Sequence, residues 1–442
     1  MKRECPLSPV LTKHLSPITI VEVQLTLWGP VRNDQMRYTV RCWECGREIE
    51  DEWLSTCPTC SGLLTIEMDL ERLKELQPFD LRNRPLSVWR YAPFMPVDEE
   101  KAVTLQEGGT PLYRCDALSQ EIGVKELRVK YEGANPTGSF KDRGMTMGVS
   151  KALDLGAKSV GCASTGNTSA SLAAYAAKAG MQCVVLLPEG KVAAGKLAQA
   201  MFYGAKIVSI QGNFDDALSI VRELSTQGHL YLLNSINPFR PEGQKSVAFE
   251  IVDQMGFQLP DRIVLPVGNA ANIWAVYKAL KEWEAIGWID HVPMLSGIQA
   301  SGSRPVTNAF QDGRRDFDPV ERPETVATAI RIGNPVSGKK ALKAIYDTGG
   351  CSVDVSDDEI LQAQRDLGRS EGVGVEPASA ASIAGVRKML AEGLVDPDEN
   401  VVCICTGNLL KDPDVIISSF GEVEQIPADV NEVTSFLTRE RS

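Results

Sequence analysis

The sequence predicts an α/β fold with mainly parallel sheets, preceded by a small cysteine-bearing unit. Three observations carry that reading: short apolar runs of strand length, Ala-rich stretches of helical length between them, and four cysteines in two close pairs near the start. The runs are Leu127–Tyr131, Ser159–Ala163, Cys183–Leu187, Lys206–Ile210, Leu230–Leu233, Ile263–Val267 and Val401–Cys405. The first alternates like a half-buried strand. The others are close to continuous, as strands covered on both faces by helices are. Residues 169–179, 193–203, 214–227 and 242–256 have helical patterns and fall between several of the runs. Alternation in that order is the pattern of an α/β protein. Its ligand is expected at loops beyond the carboxyl ends of the strands. No internal repeat is evident.

A chain of 442 residues holds two or three domains with a real core. Hydrophobic residues make up 43% and charged residues 24%, as in an ordinary globular protein. The formal net charge of -12 argues against binding nucleic acid by phosphate neutralisation. No apolar run is long enough to cross a membrane. Met1-Lys2-Arg3 carries the charge that opens a secretory signal, but Pro6, Pro9, Lys13, His14 and Pro17 break the apolar stretch that must follow. A cytoplasmic protein is expected. The eleven cysteines agree. Outside the paired four, Cys5, Cys115, Cys162, Cys183, Cys351, Cys403 and Cys405 are scattered, mostly in apolar runs, as buried reduced thiols are.

Residues 1–36 are irregular and read as an N-terminal arm. Residues 37–66 form a unit of their own. Cys42-Trp-Glu-Cys45 and Cys57-Pro-Thr-Cys60 give C-x2-C, eleven intervening residues, and C-x2-C. Each pair places two thiolates on one side of a tight knuckle, and two knuckles complete a tetrahedral four-sulfur site suited to Zn2+. A redox pair needs only one C-x-x-C beside a βαβ unit. A zinc ribbon serves structure when the metal supplies folding energy that so short a segment lacks. Nucleic-acid binding is its other common use, but Glu44, Glu48, Glu50, Asp51 and Glu52 offset the basic residues here. A structural role is expected.

Three strand-to-helix junctions and one strand end can carry chemistry. In Glu132–Gly144 a Gly/Asn/Pro turn leads into a helix, with Ser139 placed to cap it and Lys141 in its first turn. The positive end of a helix disfavours a cation, so such a lysine either reaches to solvent or is kept partly neutral for nucleophilic work. Imine chemistry requires the neutral amine. Ser164-Thr-Gly-Asn-Thr168 joins a strand to an Ala-rich helix, a place where hydroxyls and free N–H groups converge on an anion or simply cap the helix. Gly268-Asn-Ala-Ala-Asn272 fits a phosphate cradle at a helix start. It matches neither of the common nucleotide-binding glycine motifs. Thr406 ends the last apolar run and brings a hydroxyl to the ligand edge of the sheet.

In this order and spacing the segments resemble the threonine synthase family, fold type II (tryptophan-synthase-β-like) pyridoxal-phosphate enzymes, over roughly 105–420. The resemblance rests on Glu107-Gly-Gly-Thr-Pro111, Asn135-Pro-Thr-Gly-Ser-Phe-Lys-Asp-Arg143, Ser164-Thr-Gly-Asn-Thr168 and Asn234-Ser-Ile-Asn-Pro238 with Arg240 and Glu242-Gly-Gln-Lys245. It rests also on Val267–Asn272, Ala329-Ile-Arg-Ile-Gly-Asn-Pro335, Glu376-Pro-Ala-Ser379 and Thr406-Gly407. It implies two α/β domains, a large cofactor-binding one from 67–135 with 245–425 and a small one over 136–244. The ribbon precedes them and a C-terminal tail, 426–442, follows.

The resemblance also assigns roles. Lys141 would carry pyridoxal 5'-phosphate covalently and act as the catalytic base. Asn167 would bond the cofactor's ring hydroxyl. Gly268, Asn269, Ala270, Ala271 and Asn272 would hold its phosphate through backbone N–H groups. Thr406 would meet the pyridine nitrogen, where a neutral hydroxyl does not favour a protonated ring as an Asp does. The implied substrate is O-phospho-L-homoserine, a small phosphorylated amino acid. Thr165 and Thr168 would bind its carboxylate, and Ser164, Asn234, Ser235, Arg240 and Asn269 its phosphate. The implied reaction is a lyase-type elimination and replacement giving L-threonine and phosphate, in a cytoplasmic homodimer of amino-acid biosynthesis.

Two departures from the family pattern stand out. Asn408-Leu409 replaces the His-Gly that usually follows Thr-Gly, and Ala271 stands where the phosphate loop usually has Gly. Arg304, in Ala300-Ser-Gly-Ser-Arg304-Pro305, adds a cation that could face the site. A paralogue acting on O-phosphoserine with sulfite or a thiol, similar to cysteate synthase, is the alternative. A non-catalytic regulator that uses the ribbon for binding is a third reading, opposed by the intact Lys141, Asn167 and Arg240.

Overall fold

Why the apolar runs become strands shows first in their pairing. The computed structural model describes residues 37–189, 194–212, 214–420 and 425–439. The expected arm, 1–36, with Cys5 in it, lies outside the described residues, as do the last residues of the expected tail. In chain order the strands are β1 (Tyr38–Cys42), β2 (Leu64–Met68), β3 (Leu112–Arg114), β4 (Glu126–Tyr131), β5 (Ser159–Ala163) and β6 (Gln182–Pro188). They continue with β7 (Lys206–Ile210), β8 (Tyr231–Leu232), β9 (Arg262–Pro266), β10 (Met294–Ala300), β11 (Ser352–Val355) and β12 (Asn400–Cys405).

Three sheets result. β1 and β2 pair antiparallel in the ribbon. A six-stranded sheet runs β11-β10-β9-β12-β4-β3, all neighbours parallel except the antiparallel edge pair β3–β4. A four-stranded parallel sheet runs β7-β6-β5-β8. Every residue of β9 is buried, including Arg262, whose guanidinium meets Glu399 and Ser296. Helices cover the sheets as expected for parallel strands. Asn167–Ala179 packs on β5 and β6, and Pro377–Ala391 packs on β9 to β12. The expected helix over 242–256 is two, Arg240–Gln244 with Pro241 in its first turn, then Ser246–Gln254.

The topology gathers the loops. β9, β12 and β4 are adjacent and parallel, so their carboxyl ends share one edge. From that edge emerge Gly268–Asn272, Thr406 and the turn before Lys141. β5 and β8 are neighbours in the other sheet and deliver Ser164–Thr168 and Asn234-Ser235.

In the ribbon, the sulfurs of Cys42, Cys45, Cys57 and Cys60 all lie within 4.8 Å of one another. Backbone N–H groups of Cys45 and Thr59 point at the sulfurs of Cys42 (3.5 Å) and Cys57 (3.4 Å). Backbone donors, chiefly those of Cys60 and Thr59, hold the Cys57 thiol down at about 6. A thiolate ready at neutral pH is what a metal requires. Gly62 leaves the room: a Cβ there would stand 3.1 Å from the Cys42 sulfur. The four residues fit Zn2+. The ribbon is fastened on two sides. Trp53 donates to Ser225 O (2.8 Å) and meets Tyr231 edge-on, while the Lys340 ammonium lies over the rings of Trp43 and Trp274.

Candidate active site

The helix Lys141–Asp154 begins at the lysine itself. The expected cap is a correction: Ser139 makes no capping bond, and its buried hydroxyl has no partner among the described residues. Asp142, in the first turn, instead braces the preceding turn. Its carboxylate accepts from Thr137 N (2.7 Å) and Thr137 Oγ1 (2.6 Å), and from Ser171 Oγ (2.5 Å) of the helix behind it. That ties the turn before Lys141 to the helix layer of the smaller sheet. Next to it, Arg143 is fully buried and bonds both oxygens of Glu132 (2.5 and 2.7 Å) and both of Glu250 (2.6 and 2.8 Å). Lys130 adds a second cation on Glu250 at 2.7 Å. Two cations and two carboxylates balance, so the floor beneath Lys141 is a closed, neutral ion network.

Lys141 lies on the wall of a cavity of about 570 Å³. Burial, then the Arg240 guanidinium, push its amine down to about 7, and Glu376 opposes them. Burial thus favours the free base, the form a carbonyl condensation needs.

The same cavity is lined by Ser164, Thr165, Asn167 and Thr168, by Asn234, Ser235 and Arg240, by Gly268 through Asn272, and by Thr406. Every site residue expected from the sequence outside the ribbon is there. Gly268 is needed for close approach: a Cβ would stand 3.0 Å from Ala329 O and 3.2 Å from Ile330 Cα. Ala271 begins the helix Ala271–Ala285 and is not left-handed, so it sits where the family's Gly does at no backbone cost. The left-handed residue is Ala270, with φ of 67°. Asn234 is partly spoken for: its amide accepts from Ala163 N (2.9 Å) and donates to Ala163 O (3.0 Å), joining the ends of β5 and β8.

Two side chains ask for a ligand. Arg240 is 3% exposed, its Nε has no partner among the described residues, and burial pulls the guanidinium down to about 10. Asn272 is buried, and neither its amide oxygen nor its nitrogen has a partner among the described residues. Buried polar atoms are rarely left so unless a bound group completes them. A neutral amine, a glycine-opened helix start and an unpaired guanidinium in one cavity suit pyridoxal phosphate together with a second anionic group.

The sequence missed six polar or charged lining residues: Gln199, Gln244, Thr328, Arg331, Glu376 and Lys411. Three of them lie in segments already noticed as motifs, but nothing in those segments said which way each side chain turns. Arg304 does not face the site. It pairs with Asp354 at 2.7 Å at the start of the helix Pro305–Gln311, so the extra cations come from Arg331 and Lys411.

Residues 103–407 match the family described as pyridoxal-phosphate dependent enzymes, and the chain belongs to that family. Within it the chain sits with the threonine synthases. It is 58% identical to the threonine synthase of Methanocaldococcus jannaschii over 394 residues, covering 88% of this chain and 97% of that one. It is 56% identical to that of Methanosarcina acetivorans over 404 residues, covering 90% and 98%. Among solved structures, a processed threonine deaminase isoform from Solanum lycopersicum shares the fold at 20% identity and a TM-score of 0.61, over 78% of this chain and 95% of that one. Maize serine racemase shares it at 19% identity and a TM-score of 0.60, over 75% of this chain and 92% of that one.

Proposed function

We infer that the protein converts O-phospho-L-homoserine and water to L-threonine and inorganic phosphate. The observation that carries this is the pairing, in one cavity, of a depressed lysine amine with a second anion site around Arg240, separate from the cradle at Gly268–Asn272. Relatives at 56–58% identity named threonine synthase support it. Bound pyridoxal phosphate supplies an electron sink beside the substrate's amino group.

The chain's own residues do the rest. Lys141 carries the cofactor and, as a free amine, moves protons at Cα and then Cβ. A base working at two successive carbons must be neutral at the working pH, which its lowered value provides. Arg240 meets the substrate's phosphate with planar, bidentate donors, helped by Ser164, Ser235, Asn269 and the remaining N–H of Asn234. That holds the leaving group in place as the Cγ–O bond breaks. Thr165 and Thr168, at the start of the helix Asn167–Ala179, take the substrate carboxylate where free N–H groups add their charge. The backbone of Gly268 to Asn272 takes the cofactor phosphate, and Asn167 and Thr406 take its ring.

The ribbon is structural, its metal Zn2+. No helix among the described residues is long and apolar enough to cross a membrane. The described cysteines are free thiols, which suits a cytoplasmic protein. We assign a small domain, 136–244, and a large one, 67–135 with 245–425, a division supported by the four-stranded and the mainly parallel six-stranded sheet that fall within them, and a homodimer as the working form, as in the family it resembles.

Phosphate release from O-phosphohomoserine and from O-phosphoserine, with amino-acid analysis of the products, tests the reading. Threonine from the first substrate is expected. Turnover of O-phosphoserine alone points to the cysteate synthase-like paralogue, and inactivity toward both removes either reading.

A further inference from the structure

Two elements carry the cradle Gly268–Asn272. The helix Ala271–Ala285 begins within it, and Trp274 lies in that helix's first turn. The start of the helix Gly338–Asp347 holds Asn269: Ser337 N donates to its backbone O (3.0 Å) and Val336 N to its Oδ1 (3.5 Å). Lys340 lies in the first turn of this second helix. Within one turn of the cradle, both elements meet the ribbon. The ring of Trp43, next to Cys42 in the chain, meets Trp274 edge-on at 6.3 Å. The Lys340 ammonium lies over both rings, 5.7 Å from Trp43 and 5.3 Å from Trp274, and donates to Leu64 O (3.4 Å) in β2. That lysine is buried, and burial, then Lys278, lower its amine to about 8. Among the described residues no carboxylate forms a salt bridge with it; Glu242, Glu44 and Cys42 act on it only through space. A buried cation held by rings and a carbonyl costs more than an apolar side chain of its length would. What it adds is a charge toward the ribbon, where four thiolates on a divalent ion leave a net negative site.

We propose that Trp43 and Lys340 are positioning residues for the cofactor's phosphate cradle, so that metal in the ribbon and cofactor in the cavity strengthen each other's binding. The proposal rests on the reading of Gly268–Asn272 as that cradle. Metal fixes the knuckle Cys42–Cys45 and with it Trp43, which lies inside it. Trp43 and Lys340 then hold the first turns of the two helices on which the cradle's backbone depends. N–H groups already aimed at the phosphate spare the cofactor the cost of ordering them. Without metal the knuckle loosens, the ribbon no longer fixes the ammonium, and the cradle is ordered only when the cofactor arrives. The linkage runs both ways, because a coupling between two binding sites is reciprocal.

The test titrates the full-length, cofactor-free chain with pyridoxal 5'-phosphate, with zinc bound and after chelation, and reads the absorbance the cofactor gains on joining Lys141. Zinc content is measured in each sample. In wild type, zinc tightens cofactor binding roughly 5- to 150-fold, the ordinary range of coupling between two sites. The cofactor tightens zinc binding by the same factor, read against a chromophoric chelator. In Lys340→Met and in Trp43→Leu, checked for folding by circular dichroism, zinc changes cofactor affinity by less than about threefold, since a coupling carried by these side chains goes with them. Lys340→Arg, which keeps a cation over both rings, retains most of the effect. Pyridoxal, which lacks the phosphate, shows no zinc dependence in wild type. Cofactor affinity unchanged on chelation overturns the proposal, and so does a zinc effect of wild-type size in both variants. An equal zinc effect on pyridoxal places the coupling outside the cradle and overturns it too. Parallel loss of cofactor affinity and circular dichroism on chelation makes the ribbon a structural support only, which is also against it. Failure of the underlying reading looks different: zinc-loaded wild type then takes up pyridoxal as tightly as its phosphate, and the cradle and the proposal fall together.

Discussion

Replacing Arg240 by methionine exposes a trade between stability and activity that the structure sets in numbers. The guanidinium is buried, its Nε has no partner among the described residues, and burial pulls it well below the ordinary arginine value, to about 10. At about 1.36 kcal/mol per tenfold, that is a penalty on the order of 3 kcal/mol. The sign follows from the base being depressed. The charged form is disfavoured in the folded chain, so the penalty is whole below about pH 10 and vanishes only above the unfolded value. At pH 7 it is fully present. Methionine keeps an apolar stem against Gly148, where the Arg240 Cγ packs, and removes the charge. Imperfect packing takes back roughly 1 kcal/mol. Cofactor-free R240M is therefore more stable than wild type by about 1–2 kcal/mol in urea denaturation at pH 7, the difference between those two estimates. Activity goes the other way. Two charge-assisted hydrogen bonds to a dianion are worth about 1.5–3 kcal/mol each, so kcat/KM for O-phosphohomoserine falls roughly 10²- to 10⁴-fold. With the cofactor loaded, so that the Gly268–Asn272 cradle is filled, inorganic phosphate is expected to stabilise the wild type and to leave the variant little changed. Destabilisation of R240M by about 1 kcal/mol or more, the size of a typical lost hydrogen bond, means the guanidinium already has a partner in the empty chain. A loss of kcat/KM below tenfold means it never meets the substrate phosphate. Either result refutes the reasoning.

Other perturbations follow from the same geometry. Arg143→Met leaves Glu132 and Glu250 facing Lys130 alone in a dry interior; a loss of about 3–5 kcal/mol is expected, seen as a lower denaturation midpoint, and a midpoint at the wild-type value contradicts a closed network. Elemental analysis finds about one zinc per chain, as one four-thiolate site holds; Cys57→Ser lowers the content and shifts the fluorescence of Trp43 and Trp53, while a chain with intact ribbon fluorescence and no metal speaks against the site. In cofactor-free protein, acylation of Lys141 reaches half its limiting rate near pH 7 rather than near 10.5; the midpoint rises in R240M, because the neighbouring cation that lowers it is gone, and an ordinary lysine midpoint in wild type contradicts the assigned environment.

Much of this was legible in the residues because burial on both faces writes itself as apolar runs. Each such run is a strand, and the four-cysteine spacing closes into one cluster. The strands that escaped notice carry polar residues satisfied inside the core. In β10, Gln299 is fully buried and accepts from Val306 N and Thr307 N at the start of the next helix. In β11, Ser352 donates to Gly297 O and Asp354 pairs with Arg304. Alternation cannot be read where a buried polar side chain takes its partner from a distant segment. β3 is a three-residue edge, too short to pattern. The site's backbone loops were visible as glycine and hydroxyl punctuation at strand ends, which only parallel topology could bring together. Glu376 was noticed only within a motif, and only coordinates show its carboxylate turned away from its own helix toward Asn167. The Arg304 expectation failed for the converse reason: a cation near the site in sequence found its carboxylate elsewhere.

Reduction of the cofactor-loaded protein with borohydride, followed by peptide mapping, bears most directly on the claim that one buried amine of lowered basicity organises this cavity. A single pyridoxyl adduct on the peptide containing Lys141, absent from K141A, is the outcome the structure requires. An adduct on Lys411 or Lys340 instead, or none at all, contradicts it.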